Sequence, residues 1–297
     1  MKIPIIILGT SQAIPTEKRN HTAVLLKYKD ETILIDCGEG TQRQFRKAKL
    51  NPCKLTKILI THWHGDHVLG LPGLFQTLAL NKYPKVLEIY GPRGTEKFIK
   101  LILHLFVFEG KLKTKVKEVS GKFYNSPDFY LEAFQMKHGP PCNSYIFQEK
   151  DKLRIDKDKI KKLKLPGELL AQLAQGKNVI YNKKTIKAKN ITYNQPGKKI
   201  SVILDTGINS NCYKSAKQAD LLISESTYTN KEKDLAIRYH HLTATQAAEI
   251  AKQAKAKKLI LTHLSQRYEN KEGIILAEAK KIFKNSSIAE DLDTLEI

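Results

Sequence analysis

No apolar run in this 297-residue chain approaches the roughly 20 residues that a bilayer-spanning helix needs. The first residues, MKIPIIILGT, are too short and too strand-like for a signal peptide and lack a cleavage site. A membrane protein is therefore not expected, and the cytoplasm is the expected location. Cysteine is scarce: Cys37, Cys53, Cys142 and Cys212 stand apart with no C-x-x-C pair, which fits neither a disulfide framework nor a thiolate zinc site. Acidic residues are also in short supply, 30 Asp plus Glu against 51 Lys plus Arg, for a formal net charge of +21. Such a field attracts polyanions, nucleic acid ahead of an anionic membrane surface. What is present is ordinary for a folded protein: 41% hydrophobic residues with 12 Tyr and 10 Phe, enough for a packed core in a chain of this length.

The N-terminal third alternates short apolar runs with turn signals: IPIIILG, TAVLLKY, ETILIDCG and KILITHWHGDH. Each reads as a buried strand ending in Gly, Asp or His, which places polar residues along one sheet rim. VLGLPGLFQTLALNK and TEKFIKLILHLFVF have helical length and spacing, punctuated at Gly91-Pro92. Strands followed by helices predict an α/β layering. Residues 149–199 differ in composition, with fifteen Lys or Arg against five Asp or Glu. The expected organisation is a single catalytic domain over 1–297 carrying an inserted basic arm at 149–199, a candidate electrostatic docking surface for nucleic acid. KILITH at 57–62 and KLILTH at 258–263 both read as strands delivering Thr-His, which suggests two related halves whose strand ends meet at a shared site.

His62-Trp63-His64-Gly65-Asp66-His67 packs three imidazoles and a carboxylate into six residues. His62 and His64 can face one ion while Asp66 and His67 turn to a second, since imidazole and carboxylate both suit zinc. His138, after the strand-like FYLEAFQM, Asp205, ending ISVILD, and His263, ending LILT, occupy strand ends where rigid elements position ligands well. Asp205 is the expected bridge. Two such ions lower the pKa of a shared water and clamp a phosphoryl group during in-line displacement, so phosphodiester hydrolysis suits the site. Asp66 is placed to ligate and to accept the water's proton. Glu225 with His241 can supply the leaving group's proton, the carboxylate orienting and charging the imidazole. His241 stands just before Thr243-Ala244-Thr245-Gln246, a capping box opening a helix.

These residues resemble the metallo-β-lactamase superfamily and, more narrowly, its ribonuclease Z family. HxHxDH marks only the superfamily. The narrower resemblance rests on GTSQAIPTEKRN at 9–20, DCGEGTQRQ at 36–44, EST at 225–227, HLTA at 241–244 and THLSQRY at 262–268. It implies an αββα four-layer sandwich of two related halves with a protruding arm, and an endonuclease that removes the 3′ trailer from precursor tRNA. It also implies two zinc ions per subunit, one held by His62, His64 and His138, the other by Asp66, His67 and His263, with Asp205 bridging. Asp66 matches the family's proton acceptor, His241 with Glu225 its proton-donating motif, and Asp36 its buried supporting aspartate. The family's arm grips the tRNA elbow, usually across a homodimer, through a Gly-Pro pair. Here that pair reads Gly167-Glu168, preceded by Pro166. Arg19, Asn20, Arg43 and Arg267 are candidate RNA or phosphate contacts.

Two other readings stand beside this one: a hydrolase of a small phosphodiester or thioester, and a non-catalytic RNA-binding protein. The charge argues against the first and the intact ligand set against the second.

Overall fold

The structure, a computed structural model, describes residues 2–107, 112–161, 163 and 165–297. Two compact units emerge, one of residues 1–125, 131–147 and 199–297, the other of residues 126–130 and 148–198.

The larger unit is built on two seven-stranded sheets. The first runs Thr294–Glu296, Pro4–Gly9, Ala23–Tyr28, Glu31–Ile35, Lys57–Leu59, Leu87–Gly91, Thr114–Glu118. The second runs Ser286–Ile288, Leu259–Thr262, Leu221–Glu225, Lys199–Ile203, Asn143–Glu149, Phe129–Gln135, Gly121–Asn125. In the first sheet the last four strands are mutually parallel; in the second the first four are. Parallel neighbours finish on the same edge, so each sheet gathers its strand-end residues along one rim.

Side-chain alternation sets the layers. Ile33, Ile35 and Leu59 point between the sheets toward Tyr145, Phe147, Ile200 and Val202, and Tyr28 meets Phe147 edge-on at 5.1 Å. Leu34, Ile58 and Ile89 point the other way, into a core with Phe45, Leu74, Phe75, Leu78 and Ile99 of the helices Thr41–Lys47, Leu71–Leu80 and Thr95–Leu105. On the far side Ile203, Leu222, Leu259 and Leu261 meet Cys212, Ala216, Ala247, Ala251, Ile275 and Ala279 of Ser210–Ala216, Ala244–Gln253 and Gly273–Ile282. The small residues of Ala244–Gln253 let that helix lie close to its sheet. Its expected capping box is present, with Thr243 and Gln246 each bonding the other's backbone N–H. The result is the expected αββα sandwich.

The two Thr-His strands, however, occupy different places. Lys57–Leu59 is second in its parallel run, whereas Leu259–Thr262 is third, next to an edge. By order, Glu31–Ile35 corresponds to Lys199–Ile203, so the matching ends are Ile33-Leu34-Ile35-Asp36 and Val202-Ile203-Leu204-Asp205. The partner of the strand leading to His62 is the one ending in Glu225.

The smaller unit pairs Lys152–Ile155 with Thr192–Gln195 and Val179–Tyr181 with Lys184–Ile186 around a core of Leu173, Val179, Ala188 and Ile191. The Lys-rich sequence IDKDKIKKLKLPGELLAQLAQG, whose pattern reads as a helical stretch, folds as two helices, Lys157–Ile160 and Gly167–Ala174. Pro166, whose ring disfavours helical geometry in the residue before it, stands at the entry to the second. Lys162 and Lys164 of that stretch, like Phe108 of the expected helix ending LFVF, lie outside the described residues. Residues 126–130, absent from the expected arm, belong to the same unit.

Candidate metal centre

The strand ends deliver the predicted ligands to one place. His62 follows the strand Lys57–Leu59, and His64 caps a short helix, Gly65–Val68, that carries Asp66 and His67. His138 and Asp205 follow the strands Phe129–Gln135 and Lys199–Ile203, and His263 follows Leu259–Thr262. Asp36 (φ 57°) and His263 (φ 58°) adopt the left-handed backbone region, which non-glycine residues seldom enter and which concentrates at functional sites.

A grouping of Asp205, His241 and His263 overlaps two donor sets, His62, His64, His138 and Asp205 in one and Asp66, His67 and His263 in the other. Asp205 divides its carboxylate between them. Oδ1 lies 3.2 Å from His67 Nε2 and 3.1 Å from His263 Nε2, and Oδ2 lies 3.6 Å from His62 Nε2 and 3.7 Å from His138 Nε2. Asp66 Oδ2 closes the second set at 3.2 Å from His67 and 3.3 Å from His263. His67 Nε2 to His263 Nε2, and His138 Nε2 to His64 Nδ1, are each 3.2 Å. A tetrahedral ion bound at about 2.0–2.1 Å holds its ligand atoms about 3.3 Å apart. Among the described residues, His62 Nε2 and Asp205 Oδ1 are buried with no hydrogen-bond partner, a costly state for polar atoms that a cation relieves. The donors therefore fit metal.

Protonation agrees with this. Burial pushes His62 well below the usual imidazole range, with His67 beside it adding to the effect, and burial likewise lowers His64 and His138. Neutral imidazole is the form that ligates. Burial opposes a proton on His67 as well, but Asp205, Asp36 and Asp66 outweigh it and hold that ring well above the usual range. Burial raises Asp66 and Asp205, yet neighbouring imidazoles, His67 and His263 foremost, keep both carboxyls low. Protons and cations thus compete for this second set.

Behind the cage, His138 Nδ1 lies 3.2 Å from the carbonyl of His240, a residue whose left-handed backbone ends the helix Lys233–Tyr239. The sequence reading missed this support because a carbonyl leaves no residue signature. His241 stands at the cage edge, Nδ1 3.1 Å from Glu225 Oε2 and 3.8 Å from Asp205 Oδ2. Burial lowers its pKa, but Glu225 and then Asp205 overcome this and raise it to about 9.

The candidate RNA contacts divide. Arg19 is only 8% exposed, its guanidinium bonding Thr10 Oγ1 and the Ala289 carbonyl, each at 2.8 Å, and facing Glu272. Asn20 holds the Glu39 carbonyl at 2.6 Å. Both brace the loop, with Asp291, which accepts from Thr10, the Asn20 N–H and Gln44. Asp291 was not singled out because it lies in an acidic run, Glu290-Asp291-Leu292-Asp293, that reads as a solvated surface. Arg43 is exposed on the helix Thr41–Lys47. Arg267 is exposed 5.2 Å over the Tyr228 ring, which in turn lies 6.0 Å from His241. Pro166 and Gly167 are exposed in the smaller unit.

Residues 3–102 match the family model of the anti-Pycsar protein Apyc1. The metallo-β-lactamase fold protein YhfI from Bacillus subtilis aligns over 100% of both chains at 20% identity with a TM-score of 0.71. Human tRNase Z, short form, aligns over 98% of each chain at 28% identity and the same TM-score of 0.71. The ribonuclease Z of Nanoarchaeum equitans (strain Kin4-M) is 36% identical over 296 residues, 98% of this chain and 92% of its own. The fold is accordingly that of the metallo-β-lactamase proteins, with a donor cluster for metal at the rims of its sheets. Within that class, the chain belongs to the ribonuclease Z family.

Proposed function

We propose that this chain is a metal-dependent endoribonuclease that removes the 3′ trailer from precursor tRNA, leaving a 3′-hydroxyl on the tRNA. The observation that carries the reading is the division of Asp205 between two donor sets, in a chain of the ribonuclease Z family. We assign one zinc ion to His62, His64, His138 and Asp205 and a second to Asp66, His67, His263 and Asp205. Bound there, the ions supply Lewis acidity that acidifies water and neutralises phosphoryl charge.

The protein's own groups handle the protons. Water attacking the phosphorus gives its proton to Asp66, the bond from phosphorus to the tRNA 3′ oxygen breaks, and His241 protonates that oxygen. Glu225 engages His241 through Nδ1, which leaves Nε2 as the nitrogen that donates. Arg267, exposed over Tyr228, which neighbours this acid, is the cation assigned to the substrate in the reading.

Residues 149–199 serve as the tRNA-docking arm in this reading, with Tyr193 53% exposed as a surface on which a base or ribose packs among lysines. A homodimer is supported by the helix Thr95–Leu105, which exposes Phe98, Leu101 and Leu105 along one stripe; sedimentation of Leu101→Glu as a monomer against a wild-type dimer tests it, and an unaltered dimer rejects that face. Four unpaired cysteines support a reducing location, the cytoplasm. Labelled precursor tRNA incubated with and without chelator tests the activity: a product ending at the trailer junction, lost with chelator and restored by zinc, is expected. An uncut precursor, or cutting indifferent to chelator, rejects it.

A further inference from the structure

A hydroxyl has one proton to give, and its destination decides the tautomer of an imidazole on its other side. Thr227 Oγ1 lies 2.6 Å from Glu225 Oε2 and 3.0 Å from His263 Nδ1. Glu225 also accepts from the Thr206 N–H at 2.7 Å and engages His241 Nδ1, so it acts as an acceptor on every side. The Thr227 proton goes to Glu225; the competing acceptor, the His263 carbonyl at 3.1 Å, leads to the same result. Toward His263 Nδ1 the hydroxyl then offers only a lone pair. His263 must carry a proton on Nδ1, which makes Nε2 the nitrogen turned to Asp205 Oδ1 and Asp66 Oδ2.

The other donor set repeats the device. Thr61 Oγ1 lies 2.6 Å from Asp36 Oδ2 and 3.1 Å from His62 Nδ1, and Asp36 Oδ1 also accepts the Thr61 N–H at 2.7 Å. His62 is thereby protonated on Nδ1, and its Nε2 is buried with no hydrogen-bond partner among the described residues. The sequence pairs Thr61-His62 with Thr262-His263, yet the Thr262 hydroxyl is buried with no hydrogen-bond partner among the described residues. The working hydroxyl comes instead from beyond the neighbouring strand, which ends in Glu225.

We propose that Thr61 and Thr227 are positioning residues, and that the relays Asp36–Thr61–His62 and Glu225–Thr227–His263 lock one imidazole of each donor set in its metal-ligating tautomer before any ion arrives. With Nδ1 so engaged, Nε2 of each ring faces the carboxylates, where a metal cation can take the place of a proton, so the relays aim the ligating nitrogen into the cage. This rests on the metal reading above and adds the groups that prepare the ligands.

Two-bond proton–nitrogen NMR correlation on metal-stripped protein with labelled histidine reads the tautomers directly. Wild type is expected to show Nδ1–H forms at His62 and His263. Thr227→Val should release His263 from that form and Thr61→Val should release His62, each weakening zinc affinity about 10–100-fold in chelator competition. Thr227→Ser and Thr61→Ser should keep both the tautomer and the affinity. A ring protonated on Nε2 but not on Nδ1 at either histidine in wild type, or valine variants with unchanged tautomer and affinity, overturns the proposal; the wild-type spectrum decides it even where a valine variant fails to fold. The metal content of the wild type separately decides the reading on which it rests.

Discussion

Asp36 Oδ2 and His67 Nδ1 stand 2.6 Å apart, both side chains fully buried. The carboxylate also accepts two bonds from Thr61, so one residue anchors the ring of a ligand and the turn that delivers His62. Asp36→Ala removes a buried charge from under three donors, and the expected loss of stability is roughly 3–5 kcal/mol, measured by urea denaturation. Asp36→Asn should lose less stability while weakening zinc affinity about 10–100-fold. An alanine variant as stable as wild type would show that these hydrogen bonds contribute nothing.

Asp66 touches both His67 and His263 and retains 8% exposure, enough to meet a water. Asp66→Ala should lower precursor cleavage by a factor on the order of 10²–10⁴ for the proton transfer alone, with further loss from the vacated ligand position. Circular dichroism should match wild type, because the Asp66 carboxylate meets the side chains of His67 and His263 and lies on a helix of only four residues, Gly65–Val68. Undiminished cutting by a folded variant removes Asp66 from the chemistry.

His241 is raised to about 9, burial pulling it down and Glu225 and Asp205 more than compensating. An acid must hold its proton to work, so the rate of leaving-group protonation stays high below that pKa and falls as pH rises through it. The pH profile of single-turnover cleavage should therefore keep an acid-dependent plateau through neutrality and decline on the alkaline side near 9. Glu225→Gln removes the main opposing charge and should move this decline toward the ordinary imidazole value of about 6.5. An alkaline limb that stays in place in the glutamine variant assigns the proton to another group.

The site was readable in sequence where the ligands are contiguous, from His62 to His67, and where a buried apolar run ends abruptly in Asp205 or His263. Those signals are local: a strand buried on both faces has no reason to end in a ligand-type side chain unless its rim is used. The support around them was not readable. Arg19 reads as a phosphate contact, but Glu272 and Ala289 arrive from more than two hundred residues away to bury it. The Thr-His repeat suggested an equivalence that strand order replaces with Asp36 and Asp205. Two short apolar strands share composition through burial alone, and only pairing order distinguishes shared position from shared environment.

The arm offers the sharpest separation of binding from chemistry. Residues 149–199 hold fifteen of the chain's Lys and Arg residues, while every proposed ligand lies in the larger unit. Replacing residues 152–195 by a short Gly-Ser linker should weaken precursor binding strongly and leave hydrolysis of a small aryl phosphodiester near wild type, since remote interactions contribute affinity that a small substrate never uses. The salt dependence gives an independent measure. Removing one Lys- or Arg-to-phosphate interaction should flatten the slope of log affinity against log salt by about 0.7–0.9, so the deletion should bind precursor with a visibly shallower slope. Equal loss of both activities would make the segment a structural element, and an unchanged slope would place RNA binding elsewhere on this basic surface.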